Sequence, residues 1–260
     1  MTGLSVADLR GLWFRSLISW PDGRRDETTF VAWLQGPNLY ADLRQPAGRP
    51  DFSGIECLRD LAPRHLAWLA RQEGFAGILE RRSEHFIWQR MIDFQPAGPL
   101  PDAARLRFDG GILIEEGQHL PYVEHWHRRR RSAEDRRTAL RLGAPDDGRE
   151  AILLRDGDWF LFARDRAHCL PDGRSLAECL AAAGDLRKAQ DMVDCEISLG
   201  RVGEGIWTIS RSTLPFREGR SLGFATTGKG VTTAEPDARG RPTTRRWNVV
   251  SAEGIWPSRL

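Results

Sequence analysis

Lysine is almost missing from this chain of 260 residues, in which only Lys188 and Lys229 accompany 36 arginines. Because this bias runs through the whole chain, a single run of arginines is weak evidence for a binding surface. The 38 basic and 36 acidic residues give a net charge of +2. A charge this small produces no strong field, so we expect no nucleic-acid binding and no membrane binding driven by bulk charge.

Long apolar runs are missing as well, because no stretch approaches the roughly 18 to 20 uninterrupted apolar residues of a membrane-spanning helix. The first residues lack the basic region and apolar run of a secretory signal. These absences predict a cytoplasmic protein. No Cys-x-x-Cys pair occurs, which disfavours a zinc knuckle or a thioredoxin-like centre and predicts reduced thiols at Cys57, Cys169, Cys179 and Cys195.

Motifs of the common cofactor folds are also missing. The chain has no dinucleotide fingerprint Gly-x-Gly-x-x-Gly and no complete phosphate-binding motif Gly-x-x-x-x-Gly-Lys-Ser/Thr. The segment 219–230 is rich in glycine and contains Thr226, Thr227 and Lys229, but it lacks the strand before it and the helix after it that form a phosphate cradle. We interpret it as a hairpin or a loop at a cavity mouth, and we predict no cofactor.

What the chain does contain is alternation of apolar and polar residues, which predicts strands rather than helices. Predicted strands cover 12–18, 28–35, 38–44, 75–82, 85–94, 106–115, 120–127, 151–155, 159–165, 193–199, 206–211 and 245–251. Two short helices are predicted, one with Pro63 in its first turn and one at a capping box of Ser175 and Glu178. This pattern indicates an all-β fold of antiparallel sheets.

The two halves of the chain match each other at a spacing of 121 or 122 residues. The matches are Gly36 with Gly157, Ala41-Asp42-Leu43-Arg44 with Ala163-Arg164-Asp165-Arg166, Pro50-Asp51 with Pro171-Asp172, Glu56-Cys57-Leu58 with Glu178-Cys179-Leu180, Arg90 with Arg211, and Trp126 with Trp247. We interpret them as an internal duplication. The duplication predicts a first barrel over 1–130, a linker over 131–148 and a second barrel over 149–260.

Two ionisable residues fall on the apolar faces of predicted strands. In 85–94 the face of Trp88 also carries Arg90, and in 120–127 the face of Trp126 also carries Glu124, because side chains alternate along a strand. An isolated buried charge is very costly. We therefore predict that Arg90 and Glu124 approach each other inside the first barrel.

A family resemblance lies within residues 75–126. It is carried by Phe75-Ala76-Gly77-Ile78-Leu79-Glu80, Trp88, Glu115-Glu116-Gly117 and Tyr122-Val123-Glu124-His125-Trp126. These segments resemble a little-characterised fungal family of tandem lipocalin-like barrel proteins. The resemblance implies two calycin-like antiparallel β-barrels side by side and no established enzymatic activity. It transfers no catalytic residue.

These features predict a non-enzymatic two-barrel protein that binds a small apolar molecule or acts as a protein-interaction module. The ligand would lie in the first barrel, with Trp88, Tyr122 and Trp126 as walls and Arg90 and Glu124 as polar anchors, because ligand cavities are mostly apolar with a few convergent polar groups.

There are three alternatives to ligand binding in the first barrel. Two of them involve Arg90 and Glu124, and the third involves the protein surface. Arg90 and Glu124 could form an internal salt bridge in a scaffold whose function lies on its outside. They could instead serve an enzyme, with Glu124 as general base and Arg90 stabilising a developing anion. The third alternative is an interaction platform that uses exposed strand edges or Arg128–Arg131.

His119, His125 and His127 lie close to acidic residues in the sequence, and histidine and carboxylate side chains are common metal ligands. Alternation places His125 and His127 on the face opposite Glu124, so they should point away from the barrel interior. We therefore predict no metal site.

Overall fold

The first half of the chain forms a closed antiparallel barrel. The computed structural model describes residues 3–130, 136–171, 174–228 and 230–254. The strands of the first half are β1 (Gly11–Ser19), β2 (Arg25–Asp26), β3 (Phe30–Gln35), β4 (Leu39–Gln45), β5 (Glu73–Arg82), β6 (His85–Asp93), β7 (Ala103–Asp109), β8 (Ile112–Gly117) and β9 (Val123–Arg128). β1 pairs with β3, each strand from β3 to β8 pairs with its successor, and β9 pairs back with β1. Closure removes the free sheet edges.

The second half repeats this strand order. Its strands are β10 (Arg137–Gly143), β11 (Glu150–Asp156), β12 (Trp159–Arg164), β13 (Glu196–Gly203), β14 (Ile206–Ser212), β15 (Ala225–Thr227), β16 (Gly230–Pro236) and β17 (Pro242–Gly254). β10 pairs with β11 and β17, just as β1 pairs with β3 and β9. The repeated topology agrees with the predicted duplication.

The second sheet is a half-barrel, which corrects the prediction of two closed barrels. In the described part of the chain, β14 and β15 form no ladder with each other. A single bridge joins Thr208 to Ser221, and Leu222 donates its N–H to the carbonyl of Trp207 over 2.8 Å. β14 ends at Ser212, and Pro215 then begins a 3-10 turn that leads the chain away from the strand.

Two stretches differ from the predicted strands. The predicted strand 106–115 is a hairpin of β7 and β8, whose turn contains Gly110 and Gly111, both with positive φ. β10 lies inside the segment 131–148 that was predicted as linker, and it belongs to the second sheet. Residues 131–135 of that segment lie outside the described residues.

Both predicted helices are present, and a third was missed. α1 (Pro63–Leu69) begins at a proline, and α2 (Leu176–Ala181) begins at the capping box, in which the N–H of Ser175 donates to Glu178 over 2.7 Å. The missed helix is α3 (Leu186–Met192), where Asp185 accepts the N–H of Lys188 as N-cap. In the described ranges, no helix combines the length and apolarity needed to cross a bilayer.

A β-bulge occurs at the same place in both sheets. In the β5–β6 pair, Gly77 lies opposite Arg90 just before the register shifts, and in β13–β14 Gly200 lies opposite Ile209. A Cβ on Gly77 would come within 1.9 Å of the Gln89 carbonyl oxygen, so the bulge requires glycine there. Arg90 therefore corresponds in the structure to Ile209, whereas the sequence match had paired it with Arg211.

Apolar side chains form three clusters, one inside each sheet and one shared by both. In the shared cluster Ala41 and Ala76 from the first half pack with Ala163, Ile197 and other residues from the second half. These residues are on the outer faces of the strands, so the two sheets pack back to back. Since this shared cluster is the largest of the three, each half has much of its apolar surface covered by the other.

Buried glutamines tie the halves together by hydrogen bonds. Gln45 donates to the carbonyl of Ser212 over 2.9 Å, and Gln72 donates to the carbonyl of Thr213 over 3.0 Å. Arg166 reaches back to the first half, where it donates to the Phe94 carbonyl over 2.6 Å. These bonds fix the orientation of the two sheets.

Candidate functional site

Tryptophan side chains fill the middle of the first barrel. The ring of Trp33 lies 6.0 Å from that of Trp13, 6.0 Å from that of Trp88 and 5.6 Å from that of Trp126 between centroids. All four side chains are buried. Trp88 and Trp126, which were predicted as ligand walls, thus pack against protein side chains.

Glu124 lies inside the first barrel, as alternation predicted, and only 1% of its surface is exposed. Its Oε1 is bound by Arg15 of β1, and Arg44 of β4 lies 3.5 Å away. Arg90 is not among these partners, so the prediction that Arg90 and Glu124 pair is wrong. The sequence interpretation missed Arg15 and Arg44, although both follow the alternation of strands that were correctly predicted.

Arg90 has different partners because of the bulge in β6. It donates to Asp93 over 2.8 Å and to Asp102 over 2.7 Å, and its guanidinium lies 3.6 Å from the ring centroid of Phe75. Strict alternation would place Asp93 on the face opposite Arg90. The extra residue of the bulge brings Asp93 to the same face, while Ile92 turns toward the other half of the molecule.

A second carboxylate, Glu115, lies beside Glu124. The two residues are directly opposite on β8 and β9, and Glu115 accepts hydrogen bonds from Tyr122 and from the indole of Trp126, both at 3.0 Å. Burial and the nearby charge of Glu124 raise the pKa of Glu115 well above its ordinary value. Tyr122 thus binds a protein carboxylate in this structure.

Asp42 is a third buried acid in this barrel, held 2.9 Å from Arg44. Burial raises the pKa of Asp42 to about 6, although the charge of Arg44 acts in the opposite direction. A folded-state pKa above the ordinary value stabilises the fold at low pH, and this stabilisation is lost as the pH rises through about 6.

We therefore expect Asp42→Asn to change the pH dependence of stability. Between pH 4 and pH 7.5 the wild-type protein should lose about 2 kcal/mol relative to this variant, since each pKa unit corresponds to about 1.4 kcal/mol. Urea unfolding at several pH values measures the difference. The exposed Asp109→Asn serves as control, and parallel pH profiles for wild type and Asp42→Asn would contradict the assignment.

His127, one of the histidines considered as metal ligands, lies on the outside of the first barrel, as alternation predicted. His127 is exposed, with its Nε2 at 2.9 Å from the Ser16 hydroxyl. Within the described ranges, no group of three or more His, Cys, Asp or Glu side chains is arranged to hold a metal ion. Of the arginine run, Arg128 stacks on Trp13 and Arg129 on Trp159, while Arg131 lies outside the described residues.

The second sheet contains a cavity of about 330 Å³. Four arginines line it, namely Arg149, Arg164, Arg217 and Arg245. Its carboxylates are Asp191, Asp194, Glu196, Glu235 and Asp237. Leu58 of the first half reaches the same cavity, where the neighbouring Arg59 donates its N–H to the Ala238 carbonyl over 3.1 Å. The halves therefore build this site together.

The repeat explains why the cavity is in the second sheet. Arg164 of β12 corresponds to Asp42 of β4, because the two residues follow the matched alanines Ala163 and Ala41. Across the sheet, Arg164 lies opposite Glu196, and Asp42 lies opposite Phe75. In the first barrel the cross-strand partner is therefore the aromatic Phe75, on whose ring Arg90 stacks. In the second sheet it is Glu196, which lines the cavity.

Glu196 and Arg217 form a buried ion pair at the cavity. Their side chains are 1% and 3% exposed, and Arg217 Nε donates to Glu196 Oε1 over 3.0 Å. Ser198 donates to the same oxygen over 2.8 Å. Glu196 Oε2, by contrast, is buried and has no hydrogen-bond partner in the described part of the chain.

Arg164 and Asp194 form a second pair, 2.7 Å apart. Burial would raise the pKa of Asp194, but the charges of Arg164 and Arg149 outweigh it and lower the pKa below its ordinary value. Burial also opposes the charge of Arg164, yet Asp194 and Glu235 raise its pKa. Both groups therefore remain ionised at neutral pH, and the cavity wall is charged.

The segment Gly219-Arg220-Ser221-Leu222-Gly223 has the spacing Gly-x-Ser-x-Gly of a hydrolase nucleophile elbow, a motif that the sequence interpretation missed. That motif requires a tight turn from a strand into a helix. Here the exposed Ser221 accepts the N–H of Gly223 over 3.0 Å, and β15 follows instead of a helix. The local structure is not that of a nucleophile elbow.

Comparison with known proteins identifies a similar fold. The sequence matches no protein-family model, and a search of curated proteins found no match. A solved structure of an uncharacterized protein from Saccharomyces cerevisiae, YLR301w, is similar with a TM-score of 0.52 and 12% sequence identity. The similarity covers 94% of this chain and 98% of the yeast protein. The chain therefore shares its barrel fold, over nearly its whole length, with that yeast protein.

Proposed function

We propose that the protein binds a small polar molecule in the charged cavity of its second sheet. The observation that carries this proposal is the Glu196–Arg217 pair, which is buried and lines a cavity of about 330 Å³. A volume of this size lies within the usual range of small-molecule sites. Buried ionic groups are costly in a purely structural role, and they are therefore candidates for functional residues.

The first barrel supports this choice by contrast. Its Trp88 and Trp126 pack against Trp33, and its Glu124 is bound by Arg15. The predicted walls thus pack against protein, and the predicted anchor Glu124 has an arginine partner, although its Oε2 also lacks a hydrogen bond in the described part of the chain. In the second sheet, comparable charged groups line a cavity.

The proposal is tested by native mass spectrometry of the full chain purified from its own source cells. We expect an additional mass of a small molecule, released at higher collision energy. In Ala238→Trp, where an indole would occupy the cavity from a half-buried position, the additional mass should be absent. The exposed Arg105→Gln of the first barrel should retain it. A bare mass for the wild type, or equal retention by Ala238→Trp, would contradict the proposal.

A further inference from the structure

We infer that the molecule bound in the second-sheet cavity is a short aliphatic amine whose ammonium group is bound by Glu196. This inference rests on the proposed function, because it assigns the chemistry of a ligand in that same cavity. The hydrogen bonds of the charged groups in the cavity wall support this assignment.

The guanidinium groups of the wall already have carboxylate partners. Arg164 and Arg149 bind Asp194 at 2.7 and 3.1 Å, and Arg245 binds Glu235 at 2.6 Å. An anionic ligand would have to compete with these carboxylates for every arginine. The wall is therefore poorly suited to a carboxylate or phosphate.

Arg149 Nε and Arg164 Nε lack a hydrogen bond in the described part of the chain, but they lie 3.2 and 3.3 Å from carboxylate oxygens of Asp147 and Glu235. These two donors are therefore ion-paired, and the remaining unmet atom of the wall is an acceptor.

Glu196 Oε1 is bound by Arg217 and Ser198, but Glu196 Oε2 is buried without a donor in the described part of the chain. A buried acceptor without a partner is unfavourable, and a hydrogen bond from an ionised donor is stronger than one from a neutral donor. An ammonium group would satisfy this oxygen best.

The shape of the cavity agrees with an aliphatic ligand. Asp191 and Asp237 of its wall are paired with Arg59 and Arg241, so the carboxylates of the wall leave no excess of negative charge. Leu58, Leu214 and Phe216 supply an apolar side to the same cavity. A short alkyl chain would contact these side chains while its ammonium group meets Glu196.

Isothermal titration of the full chain with three four-carbon probes tests the inference. The probes are 1,4-diaminobutane, succinate and 1,4-butanediol, which differ only in their terminal groups. We expect the diamine to bind with a Kd of about 1 mM or lower and the other two not to bind measurably. Glu196→Gln should weaken diamine binding at least about tenfold, because the charged acceptor is lost. Glu84→Gln, an exposed change in the first barrel, should leave it unchanged.

Near-ultraviolet circular dichroism shows whether Glu196→Gln is folded. If it is not, Ala238→Trp provides the second variant, since it keeps Glu196 and fills the cavity, and diamine binding should be lost. Binding of succinate or butanediol that Ala238→Trp abolishes would overturn the amine assignment and leave the ligand site standing. Failure of the diamine to bind, or equal binding by folded Glu196→Gln, would also overturn the assignment.

Discussion

Gly74→Val is expected to lower the free energy of unfolding by about 3 kcal/mol or more. A Cβ at this position of β5 would lie 2.8 Å from Ile197 Cδ1 of the second half and 2.9 Å from the carbonyl oxygen of Asp42. The Ile197 side chain can move, but the Asp42 carbonyl is part of the β4 backbone next to β5. Overpacking against a flexible side chain alone costs about 1 to 3 kcal/mol, so a backbone contact should add to this cost.

Urea unfolding of the full chain measures this effect. Gly98→Val is the control, because nothing lies within 4 Å of a Cβ there. The comparison tests whether the two halves are packed through their outer strand faces, since Gly74 lies at that contact. An equal unfolding midpoint for the two variants would contradict the packing.

Glu124→Ala is expected to cost about 3 kcal/mol, because it removes the close carboxylate partner of the buried Arg15 guanidinium and leaves only Asp26, 3.8 Å away. The paired change Arg15→Met with Glu124→Leu should recover most of this loss, since a buried ion pair can be replaced by apolar side chains of similar volume at little cost. Stability is again measured by urea unfolding.

A double-mutant cycle distinguishes the observed partner from the one predicted by alternation. The coupling energy of Arg15 with Glu124 should exceed about 1 kcal/mol, and that of Arg90 with Glu124 should be within about 0.5 kcal/mol of zero. Arg90 binds Asp93 and Asp102 and shares no ion-pair partner with Glu124 in the described part of the chain. A larger coupling for Arg90 than for Arg15 would contradict the structure.

Much of the fold was predictable from local chemistry. Alternation located most strands, and Pro63 and the Ser175–Glu178 box located two helices. The match of Trp126 with Trp247 identified a real repeat, since each indole donates to a residue of the preceding strand, Glu115 or Thr233, respectively. Alternation of apolar and polar residues could not predict the hairpin turn within an apolar run or the open side of the second sheet, because both depend on tertiary packing.

The site was harder to predict because one bulge changes which side chains meet. Alternation placed Glu124 in the interior correctly, but it could not show that Asp93 turns toward Arg90. The second-sheet cavity had one sequence signal, which is the replacement of Asp42 by Arg164 within an otherwise matching segment. The absence of an aromatic ring at Glu196 becomes visible only once the strands are paired.

Hydrogen–deuterium exchange of the full chain tests the location of the site most directly. Exchange would be followed with and without a mixture of 1,4-diaminobutane, succinate and 1,4-butanediol in which the diamine is at a saturating concentration. The account predicts slower exchange in peptides covering 194–198, 214–217 and 235–245, with no change at 86–90 and 122–126. Slower exchange confined to those two first-barrel segments, or no change anywhere, would contradict a ligand site in the second sheet.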